Sequence, residues 1–442
     1  MRPKFIEINK KIKNFNKTIH VSGDKSLSIR WVLMASQAIG KSKAYNLLDS
    51  QDVNSAINAL IKLGIKIIKK KNTCEIYGNG LNSFLFKNNT IINANNSGTL
   101  SRLILGVLAK SKNSFIIKGD KSLSQRDFER VIKPLNSFGV KIHSKNNKLP
   151  IKMQGTEHLR PIDYEELKGS AQVKSCIMLA ALNTPGITKI KCIPSRDHTE
   201  RLFKYLKLKI KIKKEKKFEK IEIEGGQQYN GFDYNIPGDI SSSAFFIVLT
   251  LLSNNSIILI KNINVNQSRT GILDILKKMN ANIIIKNKKI YNGEEVADIF
   301  VKSSKSLKSI NCPIEMNSRA IDELLLIFLV SAKAKGVSYF KKIGELRHKE
   351  TDRLKFASNF LKMIGIKIKE TKDSLKIYGN PSLELKNNYK IKNFDKDHRA
   401  FMLSCIAALT LGGKWKIHDK DSIYTSFPKF LSILKILGAK IN

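Results

Sequence analysis

The sequence predicts an α/β protein of two domains, each built from three copies of one unit. Three observations carry that expectation. A helix running into an apolar-small-apolar-Lys strand recurs six times: LIKLGIKI around Gly64, PLNSFGVKI around Gly139, YLKLKI around Lys207, LKKMNANI around Asn280, LKMIGIKI around Gly365 and LKILGAKI around Gly438. These landmarks lie 68 to 85 residues apart, too far for a solenoid repeat and suited to a βαβ-type unit of two helices and several strands. Each copy also carries a second helix, apolar nearly all round, which must be buried. Finally, 442 residues with 42% hydrophobic content suffice for two domains of ordinary size, each with its own core.

Taken in order, the apolar helices follow six short polar motifs: GDKSLSIR, NNSGTLSR, GSAQVKS, GDISSSA, AIDE and DKDHRA. With the helix body buried, its polar start is the end expected to meet solvent or ligand. VSGDKS near residue 21 and IPGDIS near residue 236 share a longer signature and mark chain crossings between the halves. The expected domains are therefore residues 23–237, and residues 1–22 plus 238–442, with a hinge near 21–23 and 236–240. The first strand would join the C-terminal half. Six helix starts facing a cleft would each add partial positive charge, which favours an anionic ligand. In GDKSLSIR the hydroxyls can simply cap a helix, but the same N–H groups with Lys25 and Arg30 can also hold a phosphate.

Composition narrows the function classes. A net charge of +42 first suggests nucleic acid or a membrane surface. However, the lysines are spread through nearly the whole chain, interleaved with Ile and Asn, with no basic tail and no aromatic-rich basic motif. Residue types favoured by A/T-rich codons explain the excess better than a nucleic-acid role. The apolar run 244–252 is too short to span a bilayer and the N-terminus has no apolar h-region, so a cytoplasmic protein is expected. Cys74, Cys176, Cys192, Cys312 and Cys405 are scattered, without CxxC or zinc spacing, which reads as reduced thiols and no metal. No GxxxxGK[ST] is present, so ATP is not implied.

GDKSLSIR, NNSGTLSR, SLSQRDFERVIKPL, SAQVKS, SRDHTER, PGDISSSAF, SRTGILDIL, ELRHKETDRL, DHRAFML and TSFPKFL stand in this order from about Val21 to the C-terminus. The series resembles the 5-enolpyruvylshikimate-3-phosphate synthases, in the branch with SAQVKS and SRDHTER. The resemblance implies the inverted α/β fold of enolpyruvyl transferases, with six βαβαββ units, three per domain, closing over shikimate 3-phosphate and phosphoenolpyruvate. It also implies a monomer without a cofactor. Such a site must hold two phosphates and two carboxylates against their mutual repulsion, which requires cations.

By the same resemblance, Lys25, Ser26, Arg30, Ser170, Ala171, Gln172, Arg196, Asp322 and Lys349 would bind shikimate 3-phosphate. Lys25, Gly98, Arg126, Gln172, Arg353 and Arg399 would bind phosphoenolpyruvate. Arginine forks suit carboxylate and phosphate, and Gly98 lets backbone approach the ligand closely. Asp322 would serve the 5-hydroxyl and Glu350 the C3 proton, with Lys25 as a third catalytic group. The bland alternative for KETDR is a solvated helix face with i,i+4 pairs. His398 can orient neighbours or transfer protons and is left outside the catalytic set, and Arg102 can be a structural partner. Arg196 beside Asp197 can alternatively be a surface ion pair.

Ser22, Asn95 and Asp127 depart from the proline, glycine and proline common in the family, and Thr425 stands where some members carry lysine. The first and third bear on backbone stiffness, while Asn95 tolerates left-handed backbone. Family members with alanine at the Gly98 position tend to resist glyphosate, which occupies the phosphoenolpyruvate position, so Gly98 implies sensitivity. The nearest rival, UDP-N-acetylglucosamine enolpyruvyl transferase, needs a reactive cysteine in the segment matching residues 121–127, and KSLSQRD has none. A basic nucleic-acid-binding relative of the RNA terminal phosphate cyclases is the rival from another class.

Overall fold

A computed structural model describes residues 4–70, 73–392, 394 and 396–442. Asp395, which is part of the DKDHRA motif, lies outside them. The six apolar helices form where the sequence puts them: α1 (Lys25–Ala35), α2 (Gly98–Val107), α3 (Ala171–Leu182), α4 (Ile240–Leu252), α5 (Leu324–Lys333) and α6 (His398–Leu411). Five begin at a residue whose side chain caps a backbone N–H: Asp24, Ser97, Ser170, Asp239 and Asp397. Glu323, at the start of α5, makes no such cap.

The chain divides into two compact units. The C-terminal unit is Met1–Ser22, Pro237–Lys289 and Glu295–Asn442, and the N-terminal unit is Gly23–Ile236 with Ile290–Glu294. The hairpin tip at 290–294 thus counts with the N-terminal unit, where Glu294 lies 2.7 Å from His198 Nδ1 and Asn292 donates to the Tyr205 hydroxyl at 2.9 Å. Each unit has its own apolar core, one drawn from residues 27–236 and one from residues 6–21 and 240–439.

The repeat is clearest in the second copy. Strand Thr90–Asn93, α2, strand Ser114–Lys118, helix Glu129–Ser137 and strands Lys141–Lys145 and Lys148–Gln154 make one βαβαββ unit. Its first two strands pair in parallel and the remaining pairings are antiparallel. The third copy repeats this pattern. The first copy takes its parallel strand from Asp233–Asn235, and the fourth takes its own from Asn16–Ile19. In the fifth copy two isolated parallel bridges, Lys308 to Lys335 and Asn311 to Tyr339, stand in that place. In the sixth the expected strand at LGAKI does not form. Antiparallel Phe5–Ile8 stands beside Gly412–His418 where the second and third copies place their last strand, and Asn442 exchanges backbone hydrogen bonds with Glu7.

The recurring landmark residue now has a physical cause. All six sit in left-handed backbone just after a helix: Gly64 (φ +86°), Gly139 (+99°), Lys207 (+58°), Asn280 (+67°), Gly365 (+81°) and Gly438 (+97°). A left-handed residue closes the last helical turn and turns the chain into the next strand, which is why four of the six are glycine.

Candidate active site

In the N-terminal unit the helix starts carry the expected residues. The cap of α1 falls to Asp24, whose carboxylate accepts from the Leu27 N–H at 2.9 Å, and not to the serines of GDKSLSIR. Ser28 instead accepts from the Leu48 N–H, and Ser26 is half-buried. Lys25 Nζ lies 3.0 Å from Asp52. Arg30 is buried, donating from Nε to Thr199 Oγ1 at 2.8 Å, from Nη2 to Ser175 Oγ at 2.9 Å and from Nη1 to the Ser26 carbonyl at 3.2 Å. Beside it the buried Lys174 and Glu200 form an ion pair at 2.5 Å. These contacts pin α1, α3 and helix His198–Tyr205 together, one turn inward along α3 from Ser170, Ala171 and Gln172.

Gln172 is held at both ends of its amide. Its Oε1 accepts from Arg102 Nη1 at 3.2 Å and its Nε2 donates to Thr99 Oγ1 at 3.1 Å. Arg102 also donates to the Gly98 and Asp127 carbonyls and lies 4.7 Å over the Phe128 ring. It therefore connects three predicted motifs. Arg126 Nη2 reaches Asn96 Oδ1 at 3.4 Å. At Gly98 an added methyl group would stand 2.8 Å from Arg126 Nη1 and 2.9 Å from Arg102 Nη1. Asn95 is left-handed at φ +49°, and Asp127 accepts from the Glu129 N–H at 2.8 Å. Arg196 is half-buried, while the neighbouring Asp197 carboxylate takes Arg201 at 2.9 Å.

The C-terminal unit concentrates charge around Arg353, the 1% exposed first residue of helix Arg353–Met363. Its fork donates to Asp397 from Nε at 2.8 Å and from Nη2 at 3.2 Å, with Glu350 at 2.6 Å and Asp322 at 3.5 Å. Arg399 Nη1 donates to the Asp322 carbonyl at 2.7 Å, and Nη2 stands 3.7 Å from the Asp322 carboxylate. Asp322, Glu350, Arg353 and Arg399 are thus brought together, with Lys349 half-buried beside Glu350. KETDR is not a solvated helix face: Glu350 precedes the helix and pairs with a buried arginine. His398 Nδ1 lies 3.3 Å from Thr425 Oγ1.

Burial opposes charge on both partners of the central pair, and the pair outweighs it. Burial would raise the Asp397 carboxyl, but the Arg353 guanidinium holds it below the usual carboxylate range. Burial likewise opposes the Arg353 charge, yet Asp397 and Glu350 push its pKa above the ordinary arginine value. Asp397 is the main residue that sequence reasoning passed over. A signal existed: Asp24, Asp239 and Asp397 all stand immediately before an apolar helix.

All five cysteines are buried. Burial pushes the thiols of Cys74 and Cys312 up to about 11, those of Cys176 and Cys192 up to about 12, and that of Cys405 well above its ordinary value. Native protein at neutral pH is therefore expected to resist iodoacetamide and keep its activity, with all five thiols labelled after denaturation. Mass spectrometry with a parallel activity assay checks this. Rapid loss of activity on labelling one cysteine would contradict it.

Comparison with known proteins agrees with this architecture. The structure superposes on a crystal structure of EPSP synthase from Acinetobacter baumannii with a TM-score of 0.86 and 32% identity, covering 99% of both chains. An enolpyruvyl transferase of Streptomyces tendae shares the fold, with a TM-score of 0.78 at 15% identity over 99% of this chain and 98% of that one. The fold is thus that of the enolpyruvyl transferases. Residues 9–434 match the family model of EPSP synthase (3-phosphoshikimate 1-carboxyvinyltransferase), and the chain belongs to that family. A 3-phosphoshikimate 1-carboxyvinyltransferase of Ruthia magnifica is 40% identical over 96% of each chain. One of Petrotoga mobilis is 39% identical over 96% of this chain and 97% of its own.

Proposed function

We propose that the protein transfers the carboxyvinyl group of phosphoenolpyruvate to the 5-hydroxyl of shikimate 3-phosphate, releasing phosphate, in aromatic amino-acid biosynthesis. The observation that carries this reading is family membership across nearly the whole chain. Relatives of 39–40% identity bear that activity in their names. The oxygen of the 5-hydroxyl adds to C2 of phosphoenolpyruvate while C3 takes a proton. The tetrahedral intermediate then loses phosphate and returns the C3 proton.

In this reading Asp322 takes the hydroxyl proton and Glu350 serves C3, with Lys25 assisting. Shikimate 3-phosphate is bound by Lys25, Ser26, Arg30, Ser170, Ala171, Gln172, Arg196, Asp322 and Lys349. Arg30, locked to Ser175 and Thr199, supports this end by fixing the helix starts. Lys25, Gly98, Arg126, Gln172, Arg353 and Arg399 bind phosphoenolpyruvate. Among the described residues no helix is long and apolar enough to cross a membrane. As the family resemblance implies, the proposed enzyme works as a monomer, in the cytoplasm.

The deciding experiment is phosphate release from phosphoenolpyruvate by purified protein, with and without shikimate 3-phosphate. Release that requires shikimate 3-phosphate supports the reading. Release that requires UDP-N-acetylglucosamine, or none at all from folded protein, overturns it.

A second measurement tests the phosphoenolpyruvate end. The methyl group of Gly98→Ala meets the ends of two arginine side chains and, at ordinary contact distance, Leu123, so the variant folds, but the Arg126 and Arg102 forks have to move. The KM for phosphoenolpyruvate is expected to rise about tenfold, with glyphosate inhibition weakened further and the melting temperature nearly unchanged. Unaltered kinetics with both ligands would remove Gly98 and Arg126 from the site.

A further inference from the structure

PGDISSSAF and SRTGILDIL touch no substrate in this reading, yet both lead into the charge cluster of the C-terminal unit. From the first, Ser241 lies on α4, and from the second, Arg269 is buried at 2% exposure. Arg269 Nη2 donates to Ser241 Oγ at 2.8 Å and approaches Asp239 Oδ1 at 3.4 Å. A serine hydroxyl has one proton. With Arg269 donating to its oxygen, that proton goes to Glu323 Oε1, 2.5 Å away. Glu323 is fully buried, and its Oε1 lies 3.6 Å from Arg399 Nη1.

We infer that Glu323, oriented by Ser241 and Arg269, is a positioning residue that sets the Arg399 guanidinium for phosphoenolpyruvate. Arg399 has a second acidic neighbour in Asp322, whose carboxylate stands 3.7 Å from Nη2. A carboxylate fixed beside Nη1 divides the guanidinium between two anchors and limits its swing toward Asp322, so less freedom is lost when the anion binds. Glu323 acts through Arg399 and has no substrate contact of its own. The direction of the hydrogen bonds matters: Arg269 donates to Ser241, which donates to Glu323, so the acceptor end of the chain points at the cation. The inference rests on the carboxyvinyl-transfer reading.

The test is steady-state kinetics of the full-length protein with Glu323→Gln, Ser241→Ala, Ser241→Thr and the Glu323→Gln/Ser241→Ala double variant. The KM for phosphoenolpyruvate is expected to rise about tenfold in Glu323→Gln and about threefold in Ser241→Ala, with the KM for shikimate 3-phosphate within about twofold of wild type. Ser241→Thr keeps the hydroxyl and is expected to restore the value. The double variant is expected to be no worse than Glu323→Gln, because both changes break one chain. An unchanged KM for phosphoenolpyruvate overturns the inference, and so does an equal rise in both KM values, which is what general loosening would produce. If Glu323→Gln fails to fold, the Ser241→Ala and Ser241→Thr pair decides. Wild-type protein without shikimate-3-phosphate-dependent turnover overturns the function reading and this inference with it.

Discussion

Asp322→Asn is expected to lower kcat by about 10²- to 10⁴-fold, the range lost when a positioned acid or base is removed. The argument starts from the two arginines that flank the carboxylate, Arg353 at 3.5 Å and Arg399 at 3.7 Å. Asn preserves the shape of the side chain and leaves the backbone carbonyl free to accept from Arg399, so the local structure should persist. What is lost is the group able to take the proton of the 5-hydroxyl. Freed of a competing negative charge, the two arginines should hold phosphoenolpyruvate at least as well, and its KM should stay level or fall. Steady-state kinetics with both substrates separates the outcomes. A fall in kcat without a rise in KM supports the base assignment, whereas a raised KM at unchanged kcat would reduce Asp322 to a binding group.

Arg353→Met carries the largest expected effect on stability. Arg353 is the shared cation for Asp397, Glu350 and Asp322, and Asp397 is wholly buried. Removing the arginine leaves buried carboxylates facing one another, and breaking such a pair costs about 3–5 kcal/mol. Methionine fills much of the volume, so the loss reports charge and not a cavity. Denaturant unfolding should show that destabilisation. Arg353→Met/Asp397→Leu should recover much of it, because neither charge is then stranded, while phosphoenolpyruvate binding remains impaired. A single variant as stable as wild type would mean that the cluster is solvated in solution and that its charges are not coupled.

The fold was legible because the repeat obeys one local rule six times. The landmark near the end of each second helix must be left-handed, and Gly64, Gly139, Gly365 and Gly438 advertise it, with Asn280 close behind. Lys207 keeps the same conformation without the same residue type, and only the spacing revealed it. The origin of the sixth copy's last strand was not legible: nothing near LGAKI says that Phe5–Ile8 supplies it beside Gly412–His418. The same divide separates the proposed site residues. Lys25, Gly98, Ser170 and Arg399 lie in or beside polar helix starts and could be read locally. Asp397 and Glu323 have partners distant in sequence, Asp397 in Arg353, 44 residues away, and Glu323 in Ser241, 82 residues away. Such partnerships depend on tertiary contact and leave no periodicity.

The exchange of opening strands also bears on the order in which the chain matures during translation. The N-terminal unit is nearly continuous in sequence, so all but the 290–294 hairpin tip is available to fold once residue 236 has left the ribosome. Phe5–Ile8 and Asn16–Ile19 are made before the N-terminal unit but have partners at Gly412–His418 and Ile257–Ile260. Phe5–Ile8 therefore waits for its neighbour until Gly412–His418 has been made. Lys4, Lys10, Lys11, Lys13 and Lys17, set around these strands, keep that segment charged while it waits and work against its pairing with other nascent chains.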